Sequence, residues 1–471
     1  MSLWTPWWSA SSTRKPSINN QRRLLQVITV NDISARVREA GVVGAGGAGF
    51  PTHIKLEAKA EIYLVNGAEC EPMLRTDQQL AARYPEELCR GLEHAMHATG
   101  AQEGIIVLKA RYKAAIAALQ PLLPPKVRIA VVRDVYPAGD EVVTVWLATG
   151  RRVPPGGIPL DIGAVVSNIQ TLINVAKAID GQAVTTRTLT VTGAVKNPLT
   201  VNVPIGTSLA EVLALAGGPT CERAAFIEGG PVMGQLVDDI NKPVTKTTGG
   251  LIVLPADHFA INVKRQTLSS VMRIARTVCE QCCYCTELCP RHIIGHELAP
   301  HLIIRAVNHN CLGDPGIVKS ALTCSECGVC EVLACPVGIS PRRVNMALKD
   351  QLRAKGVRYE GVLGKADPMA EHRLIPTSRI VARLNLKPWY PPEAPLQEAE
   401  YHPDLVTILL KQHAGRPAVP VVREGDTVVR GQLVAEIPEG ALGARLHASL
   451  AGRVERITPQ AIIISRGGDT R

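Results

Sequence analysis

Two runs of cysteines carry the strongest chemical pattern in the sequence: CEQCCYCTELCP begins at residue 279 and CSECGVCEVLACP begins at residue 324. The first run has the spacing C-x2-C-x2-C-x3-C-P, which binds a [4Fe-4S] cluster through its thiolates. The second run repeats this spacing with one extra residue before its last cysteine. Where a chain has two such runs, the fourth cysteine of each ligates the other cluster. The sequence therefore predicts two [4Fe-4S] clusters. Their ligands are Cys279, Cys282, Cys285 and Cys335 for one cluster and Cys324, Cys327, Cys330 and Cys289 for the other.

Zinc is the alternative metal, because C-x2-C pairs also build zinc ribbons. A zinc ribbon uses two cysteines in each knuckle, so a third cysteine at the same gap and a following proline would have no role. The spacing therefore favours iron-sulfur clusters. Four further cysteines are interpreted as spectators. They are Cys89, Cys221, Cys283 and Cys311.

A glycine-rich stretch, GVVGAGGAGFPTHIK at residues 41–55, matches G-x-G-x-x-G letter for letter. A Rossmann site requires a strand before this pattern and a helix after it. Here a short helix is predicted before it, capped by Asn31 or Asp32 and ended by Gly41, and Pro51 follows at once. The context therefore excludes a Rossmann site. Bare backbone amides can still approach a phosphate, with a lysine to neutralise it, although a tight turn without a ligand is the alternative. The candidates for phosphate binding are Gly44, Gly46, Gly47, Gly49 and Lys55.

Three more stretches, VNGAECEP, VYPAGDE and VVSNIQTL, place polar groups directly after apolar runs. Binding sites in open α/β sheets collect at such strand ends. The amide and two carboxylates of the first stretch suit hydrogen bonds to the edge of a planar heterocycle. No Ser-His-Asp or Cys-His nucleophile is evident. The candidate cofactor-binding residues are Asn66, Glu69 and Glu71, then Tyr136, Gly139, Asp140 and Glu141, then Ser167, Asn168 and Thr171.

Strands and helices alternate up to about residue 180, which predicts an α/β domain. Two strands around a turn and a helix from Ser208 to Gly217 then predict a small β-grasp module. A cysteine-rich helical module, a proline-rich linker and a compact β-sandwich complete the chain. The predicted segments are a leader at 1–27, the α/β domain at 28–182, the β-grasp domain at 183–260, the cluster module at 268–350, the linker at 351–403 and the terminal domain at 404–471.

Composition excludes several function classes. The net charge of +10 falls partly in the leader, which has four basic residues and no acid, and aromatic residues make up only 3% of the chain. The folded body is thus mildly basic without a stacking platform, so nucleic-acid binding is not expected. No apolar run approaches the roughly 18 residues of a membrane span. Thirteen cysteines in a large chain without a secretory signal favour metal ligation in a reducing cytoplasm.

Together, GAGGAGFPTHIK, NGAECEP, YPAGDE and SNIQTL, in this order and before eight cysteines, resemble the flavin-binding domain shared by the NADH-oxidising subunit of respiratory complex I and the RnfC component of the Rnf complex. The resemblance extends from about residue 30 to 465 and implies a complex I flavin-subunit-like FMN domain, an SLBB-type β-grasp module, a bacterial two-[4Fe-4S] ferredoxin-like module and a C-terminal barrel-sandwich hybrid. It implies that the FMN phosphate lies on the four glycines, and that Lys55, Asn66 and Asn168 also contact the flavin. Ala68 and Ser167 depart from the complex I pattern.

In this family, the position of the β-sandwich after the clusters is similar to that in cobalamin reductases of propanediol-utilization microcompartments. This likeness implies a cytoplasmic reductase inside a bacterial microcompartment that moves electrons from NADH through FMN and two clusters to cobalamin. It also suggests an adenosyltransferase and shell proteins as partners. The alternative is an electron conduit to a ferredoxin or flavodoxin. The terminal β-sandwich also resembles a biotinyl or lipoyl carrier domain, in which a lysine is acylated. No lysine follows Lys411, so this domain cannot carry such a swinging arm.

Overall fold

A computed structural model describes residues 29–309, 314–397 and 400–467. The predicted leader at 1–27 and Cys311 lie outside these residues. The described chain is a mixed α/β protein with three domains built around β-sheets and one helical module.

The N-terminal domain is built on a four-stranded parallel sheet in the order β3-β2-β1-β5. Its strands are almost continuous buried apolar runs, as expected where helices cover both faces of a parallel sheet. Because the strands are parallel, their carboxyl ends meet at one edge, where Asn66 lies opposite Asn168. The elements are α1 Val30–Glu39, α2 Thr52–Glu57, β1 Ile62–Gly67, α3 Thr76–Arg83, α4 Pro85–Thr99, β2 Glu103–Lys109, α5 Lys113–Leu119, β3 Val127–Val132, β4 Val135–Tyr136, α6 Glu141–Thr149, β5 Ala164–Asn168 and α7 Ile169–Ile179, with 3-10 turns at Gln120–Leu122 and Pro159–Ile162.

Helix α1 precedes the glycine loop, as predicted, but its predicted cap is wrong. Thr29 is the cap: its hydroxyl accepts from the Asp32 amide at 3.3 Å, and the Asp32 carboxylate accepts from the Thr29 amide at 3.1 Å. Such a reciprocal pair satisfies two amides that the first helical turn leaves unpaired. Gly41 follows the helix with a φ of +66°, which favours glycine.

The second domain has a six-stranded mixed sheet in the order β12-β7-β6-β10-β8-β9, in which β12 is Leu396–Gln397 from later in the chain. The predicted pair of strands around a turn and the helix capped by Ser208 are present, with Glu211 completing the capping box. The elements are β6 Thr186–Gly193, β7 Leu199–Pro204, α8 Leu209–Leu215, β8 Ala224–Glu228, β9 Gln235–Val237 and β10 Gly250–Pro255.

The cysteine runs lie in a module of short helices, which pack around Val271, Ile303 and Val344. Its helices are α9 Phe259–Arg265, α10 Leu268–Val278, α11 Tyr284–Glu287, α12 Pro290–Ile293, α13 Pro300–His309, α14 Pro315–Lys319 and α15 Pro341–Ala354, with a 3-10 turn at Ser320–Thr323 and a π turn at Cys330–Ala334.

The segment predicted as a linker, 351–403, is more structured than its prolines suggest. Ile375 pairs with Tyr136, so the segment adds a strand to β4, and Leu396 pairs with Thr200 at the edge of the second sheet. Apolar side chains such as Ile380 and Leu384 are fully buried and anchor it. The segment therefore ties the first two domains together. Its elements are α16 Ala370–Arg373, β11 Ile375–Pro376, α17 Thr377–Arg383, a 3-10 turn at Lys387–Trp389 and β12 Leu396–Gln397.

The C-terminal domain packs a four-stranded sheet, β13-β19-β18-β15, against a three-stranded one, β14-β16-β17. Alternate residues of its strands, including Val406, Ile408, Ile462 and Ile464, form the core between the sheets. The strands are β13 Leu405–Leu409, β14 Val419–Pro420, β15 Thr427–Val428, β16 Leu433–Glu436, β17 Leu446–His447, β18 Gly452–Ile457 and β19 Ala461–Arg466. Among the helices of the described ranges, none combines the length and the apolar character that crossing a bilayer requires.

Candidate functional site

The glycine loop forms a closed turn between α1 and α2. Val43 and Pro51 form an antiparallel bridge across its base, and the Gly44 amide donates to the Phe50 carbonyl at 2.8 Å. Gly47 and Gly49 have φ values of +110° and +64°, which disfavour any side chain. The turn is therefore fixed by its base while its tip depends on glycine.

One side of this loop is open. The Ala45 amide donates to the Thr171 hydroxyl at 2.9 Å, which ties the loop to α7. A Cβ added to Gly47 would meet no atom within 4 Å. In the part of the chain that the structure describes, the amides of Gly46 and Gly47 have no acceptor. Consecutive free amides of this kind are the donors that a phosphate requires.

The strand ends next to the loop carry the two predicted asparagines. Asn66 donates to the Gly139 carbonyl at 2.8 Å. The Asn168 carbonyl oxygen accepts from the Gln170 amide at 2.9 Å, so it caps α7, while its amide nitrogen lies 2.9 and 2.8 Å from the two Asp77 oxygens. The structure thus brings these polar groups together at one edge of the sheet.

Lys55 reaches the same edge from α2. Its ammonium group donates to the Val166 carbonyl at 2.8 Å and lies 3.4 Å from a Glu141 oxygen. Asp140 caps α6 through two backbone amides and pairs with Arg291 of the cluster module at 3.0 Å. Among the residues predicted for this edge, Lys55 is the only cation.

A buried pair of carboxylates lies behind the asparagines. Burial raises the pKa of Glu69 well above its usual range, and the nearby charge of Asp77 raises it further. Burial also raises the pKa of Asp77 to about 6, although the hydrogen bonds from Asn168 and the charge of Arg187 oppose this change. Two acids in one apolar site do not readily carry two charges, so the pair favours holding a proton.

Several buried polar atoms around this edge have no hydrogen-bond partner within the described parts of the chain. An unpaired buried polar group costs about 1–3 kcal/mol, so a bound molecule with donors and acceptors would relieve that cost. FMN has a phosphate for the free amides and a ring with both donors and acceptors. The residues present therefore fit FMN. The unpaired atoms include Glu69 Oε2, Gln170 Oε1, Arg187 Nη1 and Arg111 Nη2.

Three predicted residues have other partners. Tyr136 is fully buried, and its hydroxyl donates to the Cys327 carbonyl. The Glu71 carboxylate accepts from the Val232 and Met233 amides at 2.9 and 2.6 Å. Ser167 shares a 2.8 Å hydrogen bond with Tyr63 inside the sheet. These three side chains connect parts of the fold instead of facing the glycine loop.

Two further side chains at this edge, Asp77 and Arg187, were not predicted from the sequence. Arg187 lies on β6 of the second domain and donates to the Ala45 carbonyl of the glycine loop at 2.8 Å. Nothing in its sequence context indicates this contact. Asp77, by contrast, follows the polar stretch NGAECEP closely, so its acidic side chain was a signal that could have been used.

The C-terminal domain packs against the back of the glycine loop. The Ala414 amide donates to the Gly49 carbonyl at 2.9 Å. Lys246, from the second domain, donates to the carbonyls of Gly41 and Arg445 at 2.7 Å each, and burial lowers its pKa to about 7. Three domains therefore meet at this loop and hold its shape.

The eight predicted thiols line two cavities in the grouping that their spacing predicts. The first cavity is lined by Cys279, Cys282, Cys285 and Cys335, and Cys283, predicted to be a spectator, also lines it. The second cavity is lined by Cys324, Cys327, Cys330 and Cys289.

Within residues 29–309, 314–397 and 400–467, no three His, Cys, Asp or Glu side chains are close enough to hold a single metal ion. Four thiolates on one zinc ion, at about 2.3 Å each, would form such a group. The predicted ligand thiols are arranged around the two cavities.

The two runs share their backbone shape. Gln281 and Glu326, each directly before a second cysteine, have φ values of +56° and +61°. Cys283 and Gly328, each directly after it, have +66° and +78°. Cys283 therefore occupies a position that glycine fills in the other run.

The extra residue of the second run is absorbed by a π turn over Cys330–Ala334, in which the Cys335 amide donates to the Cys330 carbonyl at 3.3 Å. In the first run the Cys289 amide donates to the Thr286 carbonyl instead. Single π turns of this kind accommodate one inserted residue in a helix. The insertion thus leaves Cys335 at the first cavity.

Polar groups surround the second cavity. Buried Asn345 lines it, and both of its amide atoms are without a partner among the described residues. Lys349 donates to the Cys324 carbonyl at 2.7 Å and pairs with Glu326 at 2.7 Å. Burial raises the pKa of Cys289 and Cys327 to about 12, so these thiols release protons when they ligate iron.

Family models match four consecutive parts of the chain: the Nuo51 FMN-binding domain at residues 37–177, the SLBB domain at 188–236, a 4Fe-4S dicluster domain at 278–340 and the RnfC barrel sandwich hybrid domain at 391–469. The predicted fold class and order of modules are confirmed. The chain therefore contains an FMN-binding domain and an iron-sulfur domain, which make it an oxidoreductase of the flavin and iron-sulfur type.

Curated relatives extend over nearly the whole chain. Cobalamin reductase PduS of Salmonella typhimurium is 57% identical over 441 residues, covering 93% of this chain and 98% of that protein. The protein of the same name from Citrobacter freundii is 57% identical over 436 residues, covering 92% and 96%. A component of the Na(+)-translocating ferredoxin:NAD(+) oxidoreductase complex of Acetobacterium woodii is 36% identical over 287 residues, covering 59% and 62%.

Proposed function

This chain belongs to the family of the cobalamin reductases PduS, and from that membership we propose that it transfers electrons from NADH, through FMN and two [4Fe-4S] clusters, to cobalamin. The direct connection between its flavin domain and its cysteine module carries the proposal. Tyr136, in the predicted flavin-site stretch VYPAGDE, donates its hydroxyl to the carbonyl of Cys327, a predicted cluster ligand. A flavin and a cluster at these sites would be held by two modules that contact each other directly.

The residues of the glycine loop and its edge would hold FMN. The free amides of Gly46 and Gly47 would bind the phosphate, and Lys55 would neutralise its charge. Glu69 and Arg187, each with an unpaired buried atom, would bind polar groups of the flavin. FMN supplies the exchange between a two-electron hydride donor and one-electron acceptors.

The eight thiolates would hold the clusters, which supply one-electron transfer. The protein tunes such groups through burial and through hydrogen bonds to sulfur. The Glu326 amide lies 3.4 Å from Cys324 Sγ, and the Ile339 amide lies 3.3 Å from Cys335 Sγ. Both cavities thus have a backbone donor that would stabilise the reduced, more negative state of a bound cluster.

The test is anaerobic reconstitution with FMN, iron and sulfide, followed by addition of NADH and cobalamin. Bound flavin and iron are counted first, with about eight iron atoms per chain expected for two [4Fe-4S] clusters. Cobalamin spectra then report reduction of cob(III)alamin or cob(II)alamin. No spectral change at any protein ratio would contradict the proposal, and NADPH in place of NADH tests the donor.

Transfer to a small redox protein is the second candidate, because the chain also resembles a component of a ferredoxin:NAD(+) oxidoreductase complex. A conduit would reduce an artificial acceptor but would require ferredoxin or flavodoxin for cobalamin reduction. Adding each protein to the reconstituted enzyme separates the two functions.

The proposed setting is a bacterial microcompartment, with an adenosyltransferase and shell proteins as partners. The likeness in domain order to microcompartment reductases supports it. Residues 1–27 lie outside the described residues, and their deletion tests a docking role. Unchanged location of the truncated chain would exclude that role.

A further inference from the structure

The two cavities differ in their access to solvent. At the first cavity Cys282 is exposed, Cys279 and Cys285 are half-buried and Cys335 is buried, whereas every thiol of the second cavity is at most 9% exposed. The residues that line the first cavity all come from 278–285, 301–304 and 335–341, within the cluster module. A cluster bound at the first cavity would therefore lie next to solvent.

The second cavity is on the flavin side of the module. Tyr136 contacts Cys327, and Gly328 lies so close to Val232 that a Cβ on it would be 2.9 Å from the valine Cγ1. Arg291, two residues after Cys289, pairs with Asp140 of the flavin domain. The first cavity is thus the one from which an acceptor in solution can take an electron.

The rim of the first cavity is apolar. Val278 and Val337 line the cavity and are 41% and 44% exposed, and Tyr284, which lies in the chain between the lining residues Cys283 and Cys285, is 52% exposed. Among the residues that line this cavity, Glu280 is the only carboxylate and there is no lysine or arginine.

We propose that cobalamin docks directly on this face, defined by Val278, Tyr284 and Val337, and receives its electrons there. The proposal rests on the function proposed above. A redox protein is usually recognised by complementary charge, and among the residues that line this cavity only Glu280 offers a carboxylate and none is a lysine or arginine. A corrin ring instead presents a broad, largely uncharged surface, for which apolar side chains and an exposed aromatic ring provide contact area.

The electrons balance without a further reagent. Each cob(II)alamin gains one electron and becomes cob(I)alamin. One NADH, oxidised to NAD+ with release of one proton, therefore reduces two cob(II)alamin molecules.

Binding is measured by equilibrium dialysis of the reconstituted protein against hydroxocobalamin without NADH, so that the readout does not depend on turnover. Val337→Glu and Tyr284→Ala are each expected to weaken binding about tenfold, which corresponds to about 1.4 kcal/mol. The matched control is Val419→Glu in the C-terminal domain, where the valine is 53% exposed. Equal affinity of all three variants and the unaltered protein would overturn the proposal.

A second measurement does not depend on the variants, which could fail to assemble their clusters. It is amide hydrogen exchange of the unaltered protein with and without hydroxocobalamin. Hydroxocobalamin is expected to protect amides of 278–284 and 336–338 and to leave 419–429 unchanged. Absence of binding, or protection elsewhere alone, overturns the docking face. If NADH reduces cobalamin equally well in Val337→Glu, the docking face fails and the proposed function stands. If cobalamin protects the face but NADH never reduces it, the docking face stands and the proposed function fails.

Discussion

The two cysteine runs have the same local backbone but different surroundings. Both have left-handed residues on either side of their second cysteine, at Gln281 and Cys283 in one run and at Glu326 and Gly328 in the other. Yet Cys282 is exposed and its counterpart Cys327 is buried. Spacing therefore determines how a run turns, while contacts with distant segments determine how much water reaches it.

Those contacts explain the difference. Cys327 packs in a core with Tyr136 of the flavin domain and with Val232 of the second domain. Both cavities are lined by residues of the cluster module, so the packing of Cys327 against the other two domains is what distinguishes the second one. Since burial and hydrogen bonds to sulfur tune the potential of a cluster, the two sites are expected to have different potentials in spite of their similar spacing.

The largest expected effect separates the two sites by removing one thiolate from each. Cys327→Ser and Cys282→Ser are each expected to lower the bound iron to about half, since one cluster loses a ligand. In Cys282→Ser the remaining cluster lies beside the flavin domain, so NADH is expected to reduce it. In Cys327→Ser the remaining cluster is on the solvent side, and NADH reduction is expected to be lost.

Electron paramagnetic resonance after NADH addition measures this contrast. Cys221→Ser, at a half-buried thiol outside both runs, is the control with full iron content. Equal reduction by NADH in the two ligand variants would show that the sites do not differ in their access to the flavin.

A smaller effect is expected from making the two runs alike in length. Deletion of Leu333 removes the extra residue of the π turn and shifts Cys335. Because Cys335 lines the first cavity, the deletion is expected to impair cluster assembly there, although the change lies in the second run. The bound iron should fall to about half.

The reciprocal variant inserts one alanine after Glu287, which shifts Cys289 and is expected to impair the second cavity. Iron counts and the spectrum of the surviving cluster identify the affected site. If each change impaired the cavity of its own run, the exchange of fourth ligands would be wrong.

Tyr136→Phe is expected to have a moderate effect on the buried site. The change leaves the Cys327 carbonyl without its donor and is expected to cost about 1–3 kcal/mol. The temperature at which cluster absorbance is lost on heating should therefore fall. Tyr359→Phe is the control, because its half-buried hydroxyl makes only a 3.4 Å contact with Glu297. Equal midpoints for both variants would contradict the role of the Tyr136 hydroxyl.

The smallest effect is expected at the residue directly after the second cysteine of each run, where both runs have a positive φ. Cys283→Gly removes a side chain from a residue with a φ of +66° and is expected to stabilise the first site by about 1 kcal/mol. Gly328→Ala introduces strain at a φ of +78° and a 2.9 Å contact with Val232, so it is expected to destabilise the second site by about 1–3 kcal/mol. Rates of iron loss to a chelator should change in opposite directions. A change in the same direction would contradict the shared geometry.

Sequence patterns predicted the elements well where the signal was local. Ser208 caps α8, Gly41 follows α1, and the glycine loop lies between two helices, as its neighbours indicated. Prediction was poorer where the partner was distant. The segment 351–403 looks like a linker by composition, but its isolated apolar residues pair with strands of two other domains.

The candidate flavin site divides in the same way. Asn66, Asn168 and Lys55 meet at the sheet edge, because parallel strands bring their carboxyl ends together. Glu71 follows β1 and Tyr136 ends the short β4, but their side chains bind the second domain and the cluster module. Strand ends alone do not indicate which polar side chain turns inward.

The sequence by itself predicted the eight cysteine ligands, their division into two groups of four and the failure of the glycine loop to be a Rossmann site. These conclusions follow from short-range spacing, which the backbone geometry of a few residues restricts. Only the tertiary structure decided that the second cavity is buried beside the flavin domain, that Arg187 contacts the glycine loop and that the C-terminal domain supports it. Burial and electrostatic surroundings depend on segments far apart in the chain, and no local pattern records which of them will meet.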